Sequence, residues 1–364
     1  MKNRGKITAL IGGCFGSEGK GVISHYLANE YNVHVRVGGP NAGHSFYHAE
    51  TDRVWKMQTI PCGWVNPYAI IILGRGMLLN FDILVEELKQ IAEVDPNIYD
   101  RVFIDRKAGV LSQKFVEEEG GHTGELGKRI GSTGEGVGAS RRARIQRDPK
   151  DFLHADDVAY KYGLQDLLTS NTPGHIKRLN ERGANILLEG TQGYGLSMVH
   201  GPWPYVTSHD TNAAQLASDV GIAPHRITNV VLVCRTYPIR VGGNSGHLYK
   251  ELTWEQMAQR LNVEVDDIIE RTTVTKKVRR IGEWDERLVH EAVEINAPTS
   301  LAIMFLDYLT KKDEGKTEYA DLSAKSKKFL TYLESIFDTP VAFAGTGGKG
   351  FQVVDLRNQL GRSL

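Results

Sequence analysis

The strongest constraint on the fold is a glycine-rich segment near the start of the chain. The apolar run Ile7–Ile11 leads directly into Gly12–Gly21, which reads Gly-Gly-Cys-Phe-Gly-Ser-Glu-Gly-Lys-Gly, and a helix-like stretch, Val22–Glu30, follows. Glycines let backbone N–H groups approach phosphate oxygens, while a helix N-terminus and a lysine add positive charge. The segment therefore predicts a strand–turn–helix unit that cradles a nucleotide phosphate, although glycines at such a turn also serve packing.

Short apolar runs separated by helix-like stretches indicate the fold class. The runs are Ile7–Ile11, Val33–Val37, Ala69–Leu73, Val102–Ile104, Ile186–Leu188, Val230–Val233, Leu301–Leu306 and Pro340–Phe343. Strands that alternate with helices predict an α/β fold with a central, mostly parallel sheet flanked by helices, and we expect one large domain over residues 1–364. Ligands bind such sheets at the carboxyl ends of the strands. The polar, glycine-rich segment Glu117–Arg129 is predicted to be an exposed loop.

Composition narrows the class of protein. The 364 residues include 44 Lys and Arg and 44 Asp and Glu, so no net charge favours nucleic acid or a membrane surface. The three cysteines are widely spaced, which predicts neither a disulfide framework nor a zinc site. No run approaches the roughly 20 apolar residues of a membrane span. We therefore expect a cytoplasmic protein whose partners include neither nucleic acid nor membrane.

Two further glycine-rich segments carry polar side chains. Gly38–His44 includes Asn41 and ends in a histidine, which titrates near neutral pH and suits a general acid, although a lone loop histidine is often only solvated. Ile130–Arg147 presents Ser132 and Thr133 among glycines and then four arginines. Hydroxyls followed by guanidinium groups suit a compact phosphate better than an extended polymer, the alternative being a solvated basic helix face.

Three later features add candidate ligand-binding groups. Gln192 follows a strand, and its amide can pair with a purine edge or serve a structural role. Thr272–Arg280 holds four cations in five residues, which suits either a carboxylate-binding loop or a basic surface turn. Asp307 follows an apolar strand, where an unpaired carboxylate is destabilising, so we expect it to bind a ligand or cap a helix.

Taken in chain order, seven segments resemble the motifs of adenylosuccinate synthetase. They are Gly16–Gly21, Gly38–His44, Ser132–Gly138, Glu189–Gly193, Tyr205–Ser208, Arg240–Gly242 and Arg279–Gly282. The family phosphorylates O6 of a 6-oxopurine monophosphate with a nucleoside triphosphate and Mg²⁺, and the amino group of L-aspartate then displaces that phosphate. The resemblance spans nearly the whole chain and implies a C–N ligase that uses Mg²⁺ and acts as a homodimer.

The resemblance implies a role for each matching position. The catalytic residues would be Ser17, Lys20 and His44, with His44 as the acid and Lys20 holding phosphate. The triphosphate would be bound by Gly16, Glu18, Gly19, Gly21, Phe305, Asp307, Arg279, Gly345 and Gly347. The purine monophosphate would be bound by Asn41, Ser132, Thr133, Gln192, Thr207 and, from the neighbouring subunit, Arg147. L-aspartate would be bound by Val241, Thr275, Lys277 and Arg279. The metal would be held by Ser17 and the Gly43 carbonyl.

Ser17 departs most informatively from the family's pattern. The family has an aspartate there, which removes the N1 proton of the 6-oxopurine and also ligates Mg²⁺. Serine is smaller and uncharged, so it makes room for a group at C2 of the purine and offers that group an acceptor. Guanine carries an amino group at C2. The pattern therefore resembles the bacteriophage branch of the family, which converts dGMP and L-aspartate into N6-succino-2-amino-2′-deoxyadenylate on the way to 2-aminoadenine in DNA.

Two other departures agree with this interpretation. Phe305 stands where the family has a lysine that helps to select the guanine of GTP, so we expect ATP or dATP as the phosphate donor. Lys277 replaces an arginine near the substrate ribose, which is compatible with a deoxyribose. Two alternatives stay open: an ordinary adenylosuccinate synthetase acting on IMP, and a degenerate protein that only binds nucleotides. Glu18 and a water polarised by Ser17 are the alternatives for removal of the N1 proton.

Overall fold

The computed structural model describes residues 4–272, 277–348 and 351–361. The strands are β1 (Ile7–Gly12), β2 (Val33–Arg36), β3 (His44–His48), β4 (Arg53–Met57), β5 (Ile70–Leu73), β6 (Leu78–Leu79), β7 (Val102–Asp105), β8 (Gly109–Val110), β9 (Leu168–Thr169), β10 (Ile186–Glu189), β11 (Asn229–Arg235), β12 (Ile239–Arg240), β13 (Glu251–Leu252), β14 (Arg280–Gly282), β15 (Ser300–Met304), β16 (Val341–Gly345) and β17 (Val353–Asp355). The α-helices are α1 (Lys20–Tyr26), α2 (Phe81–Ala92), α3 (Ile98–Arg101), α4 (Gln113–Glu119), α5 (Glu125–Ile130), α6 (Val137–Gln146), α7 (Ala155–Val158), α8 (Thr172–Glu181), α9 (Ala213–Val220), α10 (Trp254–Leu261), α11 (Glu286–Asn296), α12 (Ala324–Phe337) and α13 (Leu356–Leu360).

Ten strands form one sheet in the order β17-β16-β15-β11-β1-β10-β2-β5-β7-β9. Every neighbouring pair is parallel except β16 and β17 at one edge. All eight apolar runs predicted as strands lie in this sheet, so the predicted α/β class with a mostly parallel sheet is confirmed. The central strands β1, β10 and β11 are buried along their whole length, which explains their continuous apolar sequence.

The segment Glu117–Arg129 is exposed over much of its length, as predicted, but the prediction of a loop was wrong because the segment is largely helical. It contains the end of α4 and nearly all of α5, joined by a short 3₁₀ turn. Phe115 is buried on α4, and the Glu119 carboxylate accepts hydrogen bonds from the Gly136 and Ala139 N–H groups at the start of α6, both at 2.9 Å. These tertiary contacts stabilise helices that the local composition disfavours.

Smaller elements complete the frame around the sheet. The hairpin β3–β4 begins at His44, and the three-stranded sheet β12-β14-β13 carries Arg240 and Arg280. Both lie in the chain just after strands of the main sheet, so they follow its carboxyl edge. Within the described ranges, every helix is too short or too polar to cross a lipid bilayer.

Candidate active site

The glycine-rich loop follows β1, a central strand of the sheet, and leads into α1 at Lys20. Gly16 and Gly19 have φ angles of 86° and 97°, a region that side chains disfavour. Ser17 adopts a φ of 57° between them, although it carries a side chain. The predicted strand–turn–helix unit is confirmed, and its turn requires glycine at two positions.

Glu18 holds this loop together from the inside. Its side chain is fully buried, and Oε1 accepts hydrogen bonds from the backbone N–H groups of Cys14 at 3.2 Å and Gly16 at 2.6 Å. Oε2 lies 2.5 Å from Lys20 Nζ. The carboxylate therefore lies beneath the loop with its oxygens engaged, and it is not placed to remove a proton from a ligand in the cavity.

Lys20 is held on two sides by other groups of the chain. Besides the ion pair with Glu18, its Nζ donates to the Gln192 carbonyl oxygen at 2.5 Å. The side chain is only 2% exposed, yet it lines the cavity described below. The loop thus carries a buried cation beside the cavity, and the Glu18 carboxylate already balances its charge.

Glu189, the last residue of β10, holds His44 in place. Its Oε1 lies 2.7 Å from His44 Nδ1 and 2.5 Å from Arg36 Nη1. Its Oε2 accepts hydrogen bonds from Ser24 Oγ at 2.5 Å and from the Cys62 N–H at 2.9 Å. Because a carboxylate accepts, the His44 proton resides on Nδ1, and Nε2 is left for a ligand.

The charges of this pair follow from their surroundings. Burial, reinforced by Arg36, lowers the pKa of His44 to about 4, so the imidazole is neutral before ligands bind. Burial alone would raise the pKa of Glu189, but the His44 hydrogen bond and the Arg36 charge hold that pKa at about 2. An anionic phosphate near Nε2 would raise the pKa of His44 and supply the protonated form that an acid requires.

One cavity of about 470 Å³ brings most of the predicted site residues together, and its size suits small-molecule ligands. Its predicted wall residues are Gly16, Ser17, Lys20, Asn41, Gly43, His44, Ser132, Thr133, Gln192, Thr207, Val241, Lys277 and Arg279. Gln192 Nε2 donates to Asn41 Oδ1 at 3.3 Å, so two residues predicted to bind the same monophosphate are in direct contact.

The other predicted residues lie away from this wall. They are Glu18, Gly19, Gly21, Arg147, Phe305, Asp307, Gly345 and Gly347, whereas Thr275 lies outside the described residues. Gly19 and Gly345 both pack on Met304, since a Cβ on them would lie 3.0 Å from Met304 Cγ and 2.4 Å from Met304 Cε. A Cβ on Gly21 would lie 2.9 Å from the Ser45 carbonyl oxygen. Gly21 therefore allows the close packing of α1 against β3.

Asp307 is a buried carboxylate just beyond β15. It is 5% exposed, and its Oδ1 has no hydrogen-bond partner within the described part of the chain. Burial raises the pKa of Asp307 to about 6, although Lys311 Nζ lies 4.0 Å from Oδ2. Phe305, not Asp307, takes the N-cap position of the turn that follows. A buried, unpartnered carboxylate oxygen suits an N–H donor on a ligand.

Two arginines contact Ser17 at the cavity wall. Arg279 Nη1 donates to Ser17 Oγ at 2.5 Å, and Arg235 Nη1 donates to the Ser17 carbonyl oxygen at 3.1 Å. The hydroxyl keeps its own proton and one lone pair for a ligand. Arg235 is fully buried and lies 218 positions away in sequence, and no local sequence pattern indicated its role.

Arg240 is a second arginine that sequence analysis left without a role. It lines the cavity but is only 4% exposed, and its guanidinium lies 4.2 Å over the Phe15 ring. Nη2 donates to the Tyr205 carbonyl oxygen at 2.8 Å, whereas Nε and Nη1 lack partners among the described residues. Burial, together with Arg280, lowers the pKa of Arg240 to about 10. A buried cation with unused donors at a cavity wall suits an anionic ligand.

The oxygen donors of the cavity fit a magnesium ion that is bound mainly through phosphate. The wall includes Gly43 and several residues with hydroxyl groups, and the Glu119 carboxylate is already engaged by α6. Mg²⁺ commonly keeps waters and uses substrate phosphates with one or two protein oxygens. Gly43 fits that role, whereas Ser17 Oγ already accepts a hydrogen bond from Arg279, which makes it a poorer ligand.

Another group of metal-ligand side chains does not suit magnesium. Ligand atoms of His44, Cys62 and Glu189 lie within 4.8 Å of one another. Thiol and imidazole groups are softer than the oxygen ligands that Mg²⁺ prefers, and the Arg36 cation already occupies Glu189.

Arg147 lies at the C-terminal end of α6, exposed and with a φ of 61°. It projects from a helix whose neighbouring Ile145 is 73% exposed. Its action across a dimer interface stays a prediction.

The comparisons with known proteins agree on one family. The sequence model of adenylosuccinate synthetase matches residues 9–173 and 153–316. The adenylosuccinate synthetase of Archaeoglobus fulgidus is 35% identical over 356 residues, covering 97% of this chain and 98% of that protein. The enzyme of Methanocaldococcus jannaschii is 34% identical over 358 residues, covering 97% of both.

Two solved structures share the fold along the whole chain. The succinoaminodeoxyadenylate synthetase of cyanophage S-2L, bound to dGMP and to dATP as an energy donor, has a TM-score of 0.80 at 28% identity and covers 98% of each chain. The adenylosuccinate synthetase of Plasmodium falciparum has a TM-score of 0.83 at 22% identity, covering 96% of this chain and 100% of that one. The structure contains a glycine-rich loop after β1, called the phosphate loop below, and the His44–Glu189 pair. Together with these likenesses, they show that the chain belongs to the adenylosuccinate synthetase family, whose members are ligases that join aspartate to a purine nucleotide.

Proposed function

We propose that this chain joins L-aspartate to dGMP, with ATP or dATP as phosphate donor, to give N6-succino-2-amino-2′-deoxyadenylate. The observation that carries the proposal is Ser17 at the cavity wall, the position at which family members that act on IMP are expected to have an aspartate. The cyanophage relative, described as bound to dGMP and dATP, supports the same choice of substrates.

The hydrogen bonding of Ser17 favours a 2-aminopurine. Arg279 uses one lone pair of Ser17 Oγ, and the other lone pair is available to an N–H donor. The amino group at C2 of guanine is such a donor, and hypoxanthine has none at that position. A carboxylate here would be larger and would form an ion pair with Arg279.

The region around Phe305 favours an adenine donor. The Phe305 side chain offers an aromatic surface and no hydrogen-bond donor for guanine O6. The unpartnered Oδ1 of Asp307 can accept from the exocyclic amino group of adenine. Met304 joins this region to the phosphate loop through its packing against Gly19, so a donor bound here would direct its phosphates toward Lys20.

In the proposed reaction each part of the site has one task. Asn41, Thr133, Gln192 and Thr207 hold the monophosphate, while Lys20 stabilises the phosphoryl group as it passes from the triphosphate to O6. His44 Nε2 donates a proton or hydrogen bond to phosphate, with Glu189 fixing the imidazole.

Mg²⁺, when bound, offsets phosphate charge. The aspartate amine then attacks C6, and phosphate leaves. Because Glu18 is enclosed beneath the loop, a water hydrogen-bonded to Ser17 is the proposed route for the N1 proton.

A second candidate function is adenylosuccinate synthesis from IMP. It is favoured by the sequence identities of 35% and 34% to archaeal adenylosuccinate synthetases, which exceed the 28% identity to the cyanophage enzyme.

Phosphate release separates the two functions. The protein is mixed with L-aspartate, Mg²⁺ and ATP, and dGMP, GMP and IMP are supplied separately. Release with dGMP well above IMP supports the proposal, whereas release with IMP alone contradicts it. If no monophosphate supports release with either ATP or GTP, while nucleotides still raise the melting temperature, the protein only binds nucleotides.

The variant Ser17→Asp tests the role of position 17. We expect kcat/KM with dGMP to fall roughly a hundredfold, because the carboxylate fills the space of the amino group and pairs with Arg279. Ser17→Ala is the control for size: it keeps the space for the amino group but removes the hydroxyl that accepts from it and that binds the proposed water, which predicts a loss of about tenfold or more. Unchanged turnover of dGMP by Ser17→Asp would contradict the steric argument.

A further inference from the structure

Arg235 contacts both residues that are proposed to select a purine. The side chain is fully buried at the end of β11. On one side its Nη1 donates to the Ser17 carbonyl oxygen at 3.1 Å, and on the other its guanidinium lies 4.0 Å from the centroid of the Phe305 ring. Ser17 and Phe305 have left-handed backbone conformations, with φ angles of 57° and 66°. One buried cation thus supports two strained residues.

A network of polar contacts fixes Arg235. Its Nη2 lies 2.5 Å from Glu270 Oε1, which also accepts a hydrogen bond from Tyr308 Oη at 3.0 Å. Thr236 Oγ1 donates to the Phe305 carbonyl oxygen at 2.6 Å. The guanidinium charge is therefore balanced by Glu270, and the guanidinium lies between the Ser17 carbonyl oxygen and the Phe305 ring.

The network also returns to the Ser17 side chain. Arg279, which donates to Ser17 Oγ, donates its backbone N–H to the Glu270 carbonyl oxygen at 2.9 Å. Glu270 is consequently joined to both arginines that contact Ser17. The Ser17 backbone is thus linked to Arg235 directly, and the Ser17 side chain is linked to Arg235 through Arg279 and Glu270.

We propose that Arg235 is a positioning residue that couples Ser17 to Phe305, so that the base of the phosphate donor and the base of the monophosphate are selected together. The inference rests on the proposed function, in which Phe305 contacts the donor base and Ser17 the monophosphate base. A donor base that seats well on Phe305 holds the guanidinium plane, and with it the Ser17 carbonyl, in the position that fits the second purine. A poorly fitting base shifts the guanidinium and weakens that fit.

Binding experiments isolate this coupling from the shared phosphates. The dissociation constant of dGMP is measured by calorimetry in the presence of a saturating β,γ-methylene analogue of ATP, and again with the corresponding analogue of GTP. Both analogues carry the same phosphates, so the ratio of the two constants reports the donor base alone. We expect dGMP to bind about fivefold or more tightly with the ATP analogue. In Arg235→Lys, which keeps a cation for Glu270 but loses the planar contacts, the ratio should fall to about 1.

Two further variants make the result specific. Arg101→Lys is the matched control, because Arg101 is also buried and paired with a carboxylate, Asp95, but belongs to another part of the fold, and its ratio should equal that of the wild type. If Arg235→Lys shows no cooperative unfolding transition, Phe305→Leu removes the ring and leaves the buried ion pair intact, and it should reduce the ratio as well.

The outcomes separate this inference from the proposed function. A ratio of 1 in the wild type, or an unchanged ratio in a folded Arg235→Lys or Phe305→Leu protein, overturns the coupling. The same titrations are made with IMP. A protein that binds and turns over IMP in place of dGMP contradicts the proposed function, while the ratio measured with IMP still decides whether Arg235 couples the two bases.

Discussion

The two sides of the cavity differ in how their charges are compensated. The reaction wall consists of Lys20 and His44 with the carboxylates behind them, Glu18 and Glu189. The anion wall consists of Arg240, Lys277 and Arg279. On the reaction wall Lys20 Nζ lies 2.5 Å from a Glu18 oxygen, and His44 Nδ1 lies 2.7 Å from a Glu189 oxygen. On the anion wall Arg279 donates to the Ser17 hydroxyl and Arg240 to a carbonyl, and both partners are neutral.

In the proposed function this difference separates the groups that act on phosphate from the groups that bind an anionic substrate. Because Glu18 and Glu189 contact Lys20 and His44 directly, the positions of these groups are set by the protein itself. Arg240 is buried and Arg279 is half-buried, their hydrogen bonds within the described chain go to neutral groups, and desolvation lowers the pKa of both. An anion that arrives there relieves the penalty of burial, and L-aspartate brings two carboxylates.

Removing Lys20 should disrupt the reaction wall most severely. In Lys20→Met the buried Glu18 carboxylate loses its counter-charge, and breaking a buried pair destabilises a protein by about 3–5 kcal/mol. Phosphate release should fall by roughly a thousandfold or more, because the transferred phosphoryl group loses its cation. Urea unfolding and phosphate release measure the two effects. The double variant Glu18→Gln/Lys20→Met should regain most of the stability and none of the activity, and equal stability of Lys20→Met and wild type would contradict the assignment.

Acid should weaken the reaction wall and leave the arginines unaffected. The pKa of His44 is about 4 in the folded protein, against an ordinary value of about 6.5 in the unfolded chain. Between these values the unfolded chain binds the extra proton, so the contribution of His44 is full above pH 6.5 and is lost as the pH falls toward 4, by about 1.4 kcal/mol per unit at most. The contribution of Glu189 is present above its ordinary pKa of about 4.5 and is lost progressively as the pH falls from there to about 2.

Unfolding free energies measured from pH 7.5 to 4.5 check this effect. Stability should fall less steeply with acid in His44→Asn than in the wild type. His225→Asn replaces an exposed histidine and should keep the wild-type slope. Equal slopes for all three proteins would show that His44 is not held neutral by the fold.

Arg240→Met should have the smallest effect of these variants. Unlike Lys20→Met, it should not lower the free energy of unfolding. Replacing an incompletely paired buried cation by an apolar side chain should leave the free energy of unfolding unchanged or raise it by about 1 kcal/mol. The KM of L-aspartate should rise about tenfold with a smaller change in kcat, since one charge-assisted hydrogen bond is lost. Arg240→Lys, which keeps the charge, should lie in between. A destabilised variant with an unchanged KM would make Arg240 a structural residue.

The sequence was sufficient for the main sheet because its strands are buried on both faces. Runs such as Val230–Val233 are continuously apolar, and the structure extends this one to Asn229–Arg235. The edge strands β9 and β17 have only two and three residues and carry no such pattern. Glu117–Arg129 misled the prediction because its helices depend on the Glu119 contact with α6, which local composition does not reveal.

The residues of the candidate site could be predicted only where they belong to a recognisable local motif of glycines and polar side chains. The glycine loop, Asn41, His44 and Gln192 follow strands and meet at the carboxyl edge of the sheet. The groups that hold His44 were not predictable, because Glu189 lies 145 positions from His44 and 153 positions from Arg36 in the chain. Such pairs depend on the order of strands, which places β10 between β1 and β2, and no local pattern reports that order.

The Glu18 carboxylate inside the phosphate loop determines when that loop takes its shape. The Cys14 and Gly16 amides already bind an anion that belongs to the chain itself, so the loop forms as the protein folds and does not wait for a nucleotide. A newly made molecule in a nucleotide-poor cell would hold the same loop as one in a nucleotide-rich cell. The rate at which nucleotide is captured would then depend on diffusion and on the displacement of water, with no ordering step of the loop to slow it.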